Sequence, residues 1–362
     1  MLSFQDLRTM VEVNSWTHNK EGVDSHGKLM QTLLKPLGLS VEVHERENVG
    51  NHLLFKTHTV PNKPKLLLLG HLDTVFPPGT FEQFREDEEW VYGPGVCDMK
   101  GGNFVALQSL RNLVKNKGAL RNIDFLLVSD EETGSDDSRQ LTKALAKNYD
   151  ACIDFEAAGK QHEVVTGRKG VATYKIQFEG KAAHAGNNYA IGADANLAAA
   201  HMLVTLSGLT ELENGTTVNV GKIEGGIGAN TISPSAKLVV EARFTSPHEQ
   251  SRILQNIEEI ALNPQVKGVS TSLSGGLQRD VMTPNSKQSD LLTLFEKTLG
   301  YPLLTEQRGG VSDANLVAGE GVPTLDGFGP YGDGDHTIEE RALKASFELR
   351  IEQVTKILAL YL

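Results

Sequence analysis

His71 and Asp73 stand two residues apart in GHLDTVFPPGT (70–80), where the aliphatic run KPKLLLL ends. On an extended segment such side chains point the same way. The carboxylate can then accept from one imidazole nitrogen while the other nitrogen binds a metal. A histidine at a strand end is more often a packed or surface residue, so the pair alone does not establish a ligand. Downstream, Asp98 lies in GPGVCDMKGG (93–102), a glycine-dense turn ahead of a helix. There Gly101 and Gly102 permit close backbone approach, and the helix N-terminus favours negative charge, so a capping aspartate would fit the same place. Another aliphatic stretch ends in SDEETGS (129–135), where the adjacent Glu131 and Glu132 must point differently. One can bind a metal while its neighbour faces a substrate; the plain alternative is a solvated acidic loop. ACIDF then delivers Glu156, and GPYGDGDHTIEE supplies His336 in a glycine-rich loop before the last helix.

Each of these has an ordinary explanation, but acids or histidines ending aliphatic strands in succession form a pattern. Open α/β sheets build ligand sites at the carboxyl ends of their strands. Nitrogen and oxygen donors without thiolates suit a catalytic zinc site, with cobalt or manganese as possible substitutes. Charge balance points to two metals: about +4 from two zinc ions is offset by about −3 from Asp98, Glu132 and Glu156, and a bridging hydroxide supplies the remainder.

The elements that must position these residues fall into two textures. LSVEVHE, NHLLFKT, KLLLLGH, IDFLLVSD and DACIDFE read as strands, several buried on both faces, with helices over 3–14, 24–37, 102–115 and 138–147 as covers. After residue 160, GVATYKIQFEG, TTVNVGKIEGG and AKLVVEARF alternate apolar with polar, as antiparallel strands with one wet face do, and helices over 192–209 and 247–261 cover the other face. Beyond 285 the first texture returns and ends in an amphipathic helix over 339–361. The expected fold is α/β: a mixed, mostly parallel sheet with helices on both faces forms a catalytic domain from 1–165 and 277–362, interrupted by an α+β antiparallel-sheet domain at 166–276.

Other function classes are disfavoured. A formal charge of −11 argues against a nucleic-acid partner, whose phosphates need Lys and Arg. With 39% hydrophobic residues and no apolar run near the membrane-spanning length, the chain reads as globular and without a membrane partner. No signal peptide is visible, which makes the cytoplasm the expected compartment. Cys97 and Cys152 match no zinc or disulfide spacing and read as free thiols. No phosphate-cradling glycine motif follows the first strand, as a nucleotide-binding enzyme would require.

GHLDTV, GPGVCDMKGG, SDEETGS, GKAAHAG, GANTISPSAKLVVEARF and GGVSDAN with GDGDHT, in that order along nearly the whole chain, resemble the co-catalytic zinc metallopeptidase and deacylase family. That family includes glutamate carboxypeptidase, acetylornithine deacetylase, succinyl-diaminopimelate desuccinylase and aminoacylase, and the likeness is greatest to the carboxypeptidase G type. The resemblance implies two zinc ions per subunit bridged by Asp98, with His71 and Glu156 on one and Glu132 and His336 on the other. It makes Asp73 the residue that orients His71, Glu131 the general base, and the bond after Asp98 a cis peptide. It implies a homodimer in which His184 and Asn230 reach the partner's active site, while Arg243 helps hold a substrate carboxylate to which Gly309 and Gly310 can offer N–H groups. Cys97 departs from the small or polar residue usual in the family, and a thiol beside the metals suggests oxidation sensitivity.

The activity implied is zinc-dependent hydrolysis of the amide of a C-terminal or N-acylated amino acid, the substrate being a small peptide or N-acyl amino acid. Glutamate at 156, rather than aspartate, suits the carboxypeptidase and deacylase branches better than the di- and tripeptidase branch. It does not separate carboxypeptidase from deacylase. An inactive binding protein that keeps the fold is the alternative of another class, and complete ligands beside an intact base argue against it.

Overall fold

Every residue of Leu66–His71 is buried, because this strand is covered on both faces. Leu66 and Leu68 enter one apolar cluster while Leu67 and Leu69 enter another, so the period of two runs through a sequence that shows no alternation. The computed structural model describes residues 2–362 and divides into two units, Met1–Gly167 with Pro284–Leu362, and Arg168–Thr283.

In chain order the first unit holds α1 (Gln5–Val11), α2 (Lys20–Leu34), β1 (Ser40–His44), β2 (His52–Lys56), β3 (Leu66–His71), β4 (Arg85–Glu86) and β5 (Trp90–Tyr92). It continues with α3 (Lys100–Lys117), β6 (Ile123–Val128), α4 (Ser138–Ala146), β7 (Ala151–Asp154) and β8 (Val164–Arg168), which leads out of it. The second unit is β9 (Gly170–Glu179), α5 (Ala195–Ser207), β10 (Thr217–Gly225), β11 (Ser235–Phe244), α6 (Pro247–Ala261) and β12 (Ser270–Arg279). The chain then returns with α7 (Ser286–Leu299), β13 (Thr305–Arg308), α8 (Ala314–Gly319), β14 (Thr324–Leu325), β15 (Gly332–Asp333), β16 (Arg341–Leu343) and α9 (Lys344–Leu358).

The main sheet of the first unit has the order β1-β2-β6-β3-β7-β14. β6, β3, β7 and β14 are parallel, while β1 and β2 pair antiparallel at one edge. Helices α1, α2, α3, α7 and α9 supply one cluster, and α4 and α8 contribute to the other, so the sheet has helices on both faces. The α/β expectation therefore holds. The parallel register sets His71 opposite Val128 and Leu69 opposite Asp154, and so aligns the carboxyl ends of β3, β6 and β7 along one edge.

A second, small sheet, β15-β16-β5-β4, was not foreseen. It also corrects the last helix, expected over 339–361: Arg341–Leu343 pair antiparallel with Trp90–Tyr92, and α9 begins only at Lys344. Pairing with a strand some 250 residues earlier overrides the local helical pattern there.

In the second unit an antiparallel sheet, β10-β11-β9-β12, carries α5 and α6 on one face. Ala172, Tyr174, Ile176 and Phe178 of β9 and Leu238, Val240, Ala242 and Phe244 of β11 point into that core. The intervening residues of β9, from Lys175 onward, are exposed, as alternation in the sequence predicts. Ser246 caps α6 by accepting from the Glu249 N–H, with Pro247 at the first helical position.

Candidate metal centre

Three strands and two loops of the first unit bring five side chains together. His71 is the last residue of β3, Glu132 lies in the turn after β6, and Glu156 follows β7 by two residues. Asp98 precedes α3, and His336 sits in the loop between β15 and β16 with φ of 62°. Asp98 is the hub: its Oδ1 is 3.0 Å from His71 Nε2, and its Oδ2 is 3.3 Å from His336 Nε2. Glu156 Oε1 is 3.8 Å from His71 Nε2, and Glu132 Oε2 is 3.0 Å from His336 Nε2. One carboxylate thus spans two half-sites, His71 with Glu156 and His336 with Glu132. Across them, donor atoms of His71, Asp98 and Glu132 lie within 4.8 Å of one another.

Asp98 is not the helix cap it could have been, since Met99 holds the N-cap position and no side chain caps α3. The Asp98–Met99 peptide is cis. Glycine is required in the first turn of α3: a Cβ on Gly102 would stand 1.9 Å from the carbonyl oxygen of Phe155, and one on Gly101 would stand 2.0 Å from that of Val96.

The electrostatics describe a donor set short of positive charge. Burial and the Asp98 carboxylate push Glu132 up to about 8, and the same two causes hold Glu156 well above the usual range. His336 is raised to about 11 by hydrogen bonds to Asp98 and Glu132. For His71, burial alone would lower the pKa, but hydrogen bonds to Asp73 and Asp98 outweigh it and raise it well above the ordinary value. Burial would raise Asp98, yet the two imidazoles hold it well below the carboxylate range. Three crowded carboxylates raise one another's affinity for positive charge, which divalent cations would supply. Nitrogen and oxygen donors at this spacing fit divalent metal ions.

Asp73 is fully buried. His71 Nδ1 lies 3.1 Å from its backbone carbonyl and 3.4 Å from Oδ1. The same carboxylate accepts from the N–H groups of Glu131 (3.3 Å) and Glu132 (3.2 Å) and from the Thr17 hydroxyl (2.8 Å). Glu131 is partly buried beside this centre, and its charge is felt by both Glu132 and Glu156.

Several residues here were not singled out by sequence. Glu340 is buried, whereas its neighbour Glu339 is exposed, and local sequence does not separate the two. Glu340 accepts from the N–H groups of Gly95 (3.0 Å), Cys97 (2.9 Å) and Asp98 (3.0 Å). Lys100 is buried and donates to the carbonyls of Met10 (3.0 Å) and Val13 (2.7 Å), at the C-terminal end of α1. Asn103 donates to the His71 carbonyl at 2.7 Å. The Cys97 thiol is buried, and burial together with Asp335 and Glu340 pushes its pKa well up. That is the opposite of the environment an oxidation-sensitive thiol needs.

Gly309 and Gly310 lie exposed in the turn after β13, with open space where a Cβ on Gly309 would sit. The other three candidates belong to the second unit. His184 and Asn230 are neighbours there, because His184 bridges Thr231 and the Ala185 N–H donates to the Asn230 carbonyl. His184 Nδ1 accepts from the N–H groups of Gly186 (3.2 Å) and Asn187 (3.1 Å), so its proton resides on Nε2. Arg243 lies near the far end of β11, its Nε 2.8 Å from Glu241 Oε1.

An open α/β sheet with a two-lobed cluster of carboxylates and imidazoles at its carboxyl edge defines a metal-dependent hydrolase. Residues 67–360 match the model of peptidase family M20/M25/M40, and the chain belongs to that family. It is similar to carboxypeptidase G2 of Pseudomonas sp. (strain RS-16), with 29% identity over 91% of this chain and 82% of that protein. It is also similar to succinyl-diaminopimelate desuccinylase of Rickettsia typhi, with 27% identity over 92% of this chain and 93% of that protein. Among solved structures, the aminopeptidase PepT of Bacillus cereus superposes with a TM-score of 0.80, covering 99% of this chain and 97% of that one at 21% identity. The protein is a metallo-exopeptidase or an N-acyl amino acid amidohydrolase. Among the described residues no helix is long and apolar enough to cross a membrane.

Proposed function

We propose that this enzyme uses two zinc ions to hydrolyse the amide that joins a C-terminal amino acid to the rest of a small peptide, as a carboxypeptidase of the glutamate type. The observation that carries this reading is Asp98 offering one oxygen to each of two imidazoles, each imidazole having its own glutamate. His71, Asp98 and Glu156 would hold one ion and Asp98, Glu132 and His336 the other. Bound there, zinc supplies Lewis acidity and a water of lowered pKa.

The chain's own residues do the rest. Glu131 takes a proton from the attacking water and passes it to the leaving nitrogen. Asp73 holds Glu131 and Glu132 by their N–H groups and so fixes which neighbour faces the substrate. The Nε2–H of His184 from a second copy, with Asn230 beside it, donates to the oxyanion, while Arg243 and the N–H groups of Gly309 and Gly310 receive the substrate's carboxylate end.

The second unit supports a homodimer. Between Ser235 and Arg243 strand β11 spans about 26 Å at roughly 3.3 Å per residue, and the loop carrying Asn230 lies beyond Ser235. That separation supports the reading in which His184 and Asn230 serve the partner's site while Arg243 serves its own. Edge strand β10 has an exposed Ile223, and α5 beside it exposes Leu197 and Val204, a surface suited to a second copy. Buried, unpaired Cys97 and Cys152 support a reducing compartment, the cytoplasm.

N-acyl amino acid deacylation is the second reading, favoured by whole-length similarity to a desuccinylase. An amino-acid release screen over N-acyl substrates and dipeptides with C-terminal Glu, Asp, ornithine, arginine and apolar residues tests both. Fastest release of glutamate from peptides is expected. Preference for an acetylated or succinylated amino acid would transfer the assignment to the deacylases, and no release from any would end both readings.

A further inference from the structure

Asp98 and His336 do not end strands of the main sheet; both sit in loops beside the small sheet, and something must hold these loops at a fixed distance. The register of β16 on β5 sets Arg341 opposite Tyr92, and the Gly93 N–H donates to the Glu340 carbonyl at 3.3 Å. This lays Glu340 beneath the 93–98 loop. Its carboxylate fills a nest of three backbone N–H groups there, at 2.9 to 3.0 Å, with the donors from Gly95, Cys97 and Asp98. Glu340 lies four residues after His336 in the same loop, whose Thr337 carbonyl accepts from the Glu340 N–H.

We propose that Glu340 is a positioning residue: one buried carboxylate ties the Asp98 loop to the His336 loop and sets the distance between the carboxylate and the imidazole that share a metal ion. The proposal rests on the metal-centre reading above. Only a carboxylate can accept all three donors. A glutamine in its place has one acceptor atom and turns an NH2 group towards at least one N–H, so the loop carrying Asp98 must move.

Zinc titration of the metal-free full chain by calorimetry, in a zinc buffer, tests it for wild type, Glu340→Gln and Glu340→Asp. For Glu340→Gln we expect a folded protein whose zinc affinity falls about 10- to 100-fold in at least one site, the usual cost of losing a group that orients a ligand. Its kcat should fall with KM nearly unchanged, and saturating zinc should restore part of the loss; denaturant unfolding of the metal-free variant, cooperative as in wild type, separates weakened zinc binding from partial unfolding. Glu340→Asp, whose shorter stem cannot reach all three donors, should weaken zinc binding in the same direction. Wild-type affinity at both sites in either folded variant overturns the proposal. Should neither variant fold, hydrogen exchange of the metal-free wild type decides: residues 95–98 must be protected about as well as α3, and rapid exchange there overturns it. A wild-type chain that takes up no zinc would instead sink the metal-centre reading, a result distinct from two ions binding equally to wild type and variant.

Discussion

The Asp73 carboxylate receives the N–H groups of both adjacent glutamates and the Thr17 hydroxyl, and lies beside His71. Sequence spacing predicted only the partnership with His71, because the other contacts come from segments about 60 residues away on either side. Replacing Asp73 with Asn should lower zinc affinity about 10- to 100-fold, read by metal content after dialysis against a weak chelator. Full retention of metal would reduce Asp73 to a packing residue. Glu131 makes a different prediction, since the role proposed for it is proton transfer: Glu131→Gln should cut kcat by roughly 10² or more with normal zinc content, and near-normal turnover would remove it from the mechanism. His26 carries a pH signature. It is buried in α2, its Nδ1 is 2.9 Å from the Leu72 carbonyl, its Nε2 has no partner among the described residues, and burial pushes its pKa down to about 3. The unfolded chain therefore gains a proton near pH 6.5 that the folded chain refuses. Its contribution to stability is complete above that pH and declines as pH falls towards 3, by roughly 1.4 kcal/mol per unit. Denaturant unfolding at pH 7 and 5 should show a steeper loss for wild type than for His26→Gln, and parallel curves would contradict it.

Among the elements, β3 is the one on which the site depends. Its four leucines are fully buried in two clusters on opposite faces, and the strand delivers His71 at its end. Leu68→Ala should cost about 2–5 kcal/mol, measured by chemical denaturation, and a loss below about 1 kcal/mol would mean that the core collapses around the gap. The aliphatic runs made these strands and the helices over them legible, because uninterrupted burial on both faces leaves uninterrupted apolar sequence. β4, β5, β15 and β16 were not legible: each is two or three residues long and has no period of its own. Their pairing is the sole reason they are strands, and it shortened the last helix from its expected start at 339.

For the whole molecule, the proposed sharing of sites across a dimer makes a prediction that a monomer cannot meet. His184→Ala and Asp98→Asn should each be inactive alone. In an exchanged mixture half the dimers are mixed, and each mixed dimer holds one intact site, so about one quarter of wild-type activity should return. Absence of recovery, with subunit exchange confirmed by mass, would confine His184 to its own chain or to no role. The placement of His184 beside Asn230 and far from Arg243 depends on strand direction and length in one sheet, which no motif states.

By itself the amino-acid order determined the α/β class, the strands that end in acids and histidines, and the donor types suited to a pair of divalent ions, since burial pattern and ligand chemistry are written residue by residue. Only tertiary structure decided which of two adjacent glutamates at 339 and 340 goes inside, that Asp98 faces two imidazoles rather than capping a helix, and that Cys97 is shielded. Those outcomes depend on which backbone N–H groups and carboxylates from remote segments meet in a dry interior. There an unpaired polar group is costly, and the partner is chosen by geometry rather than by neighbourhood in the chain.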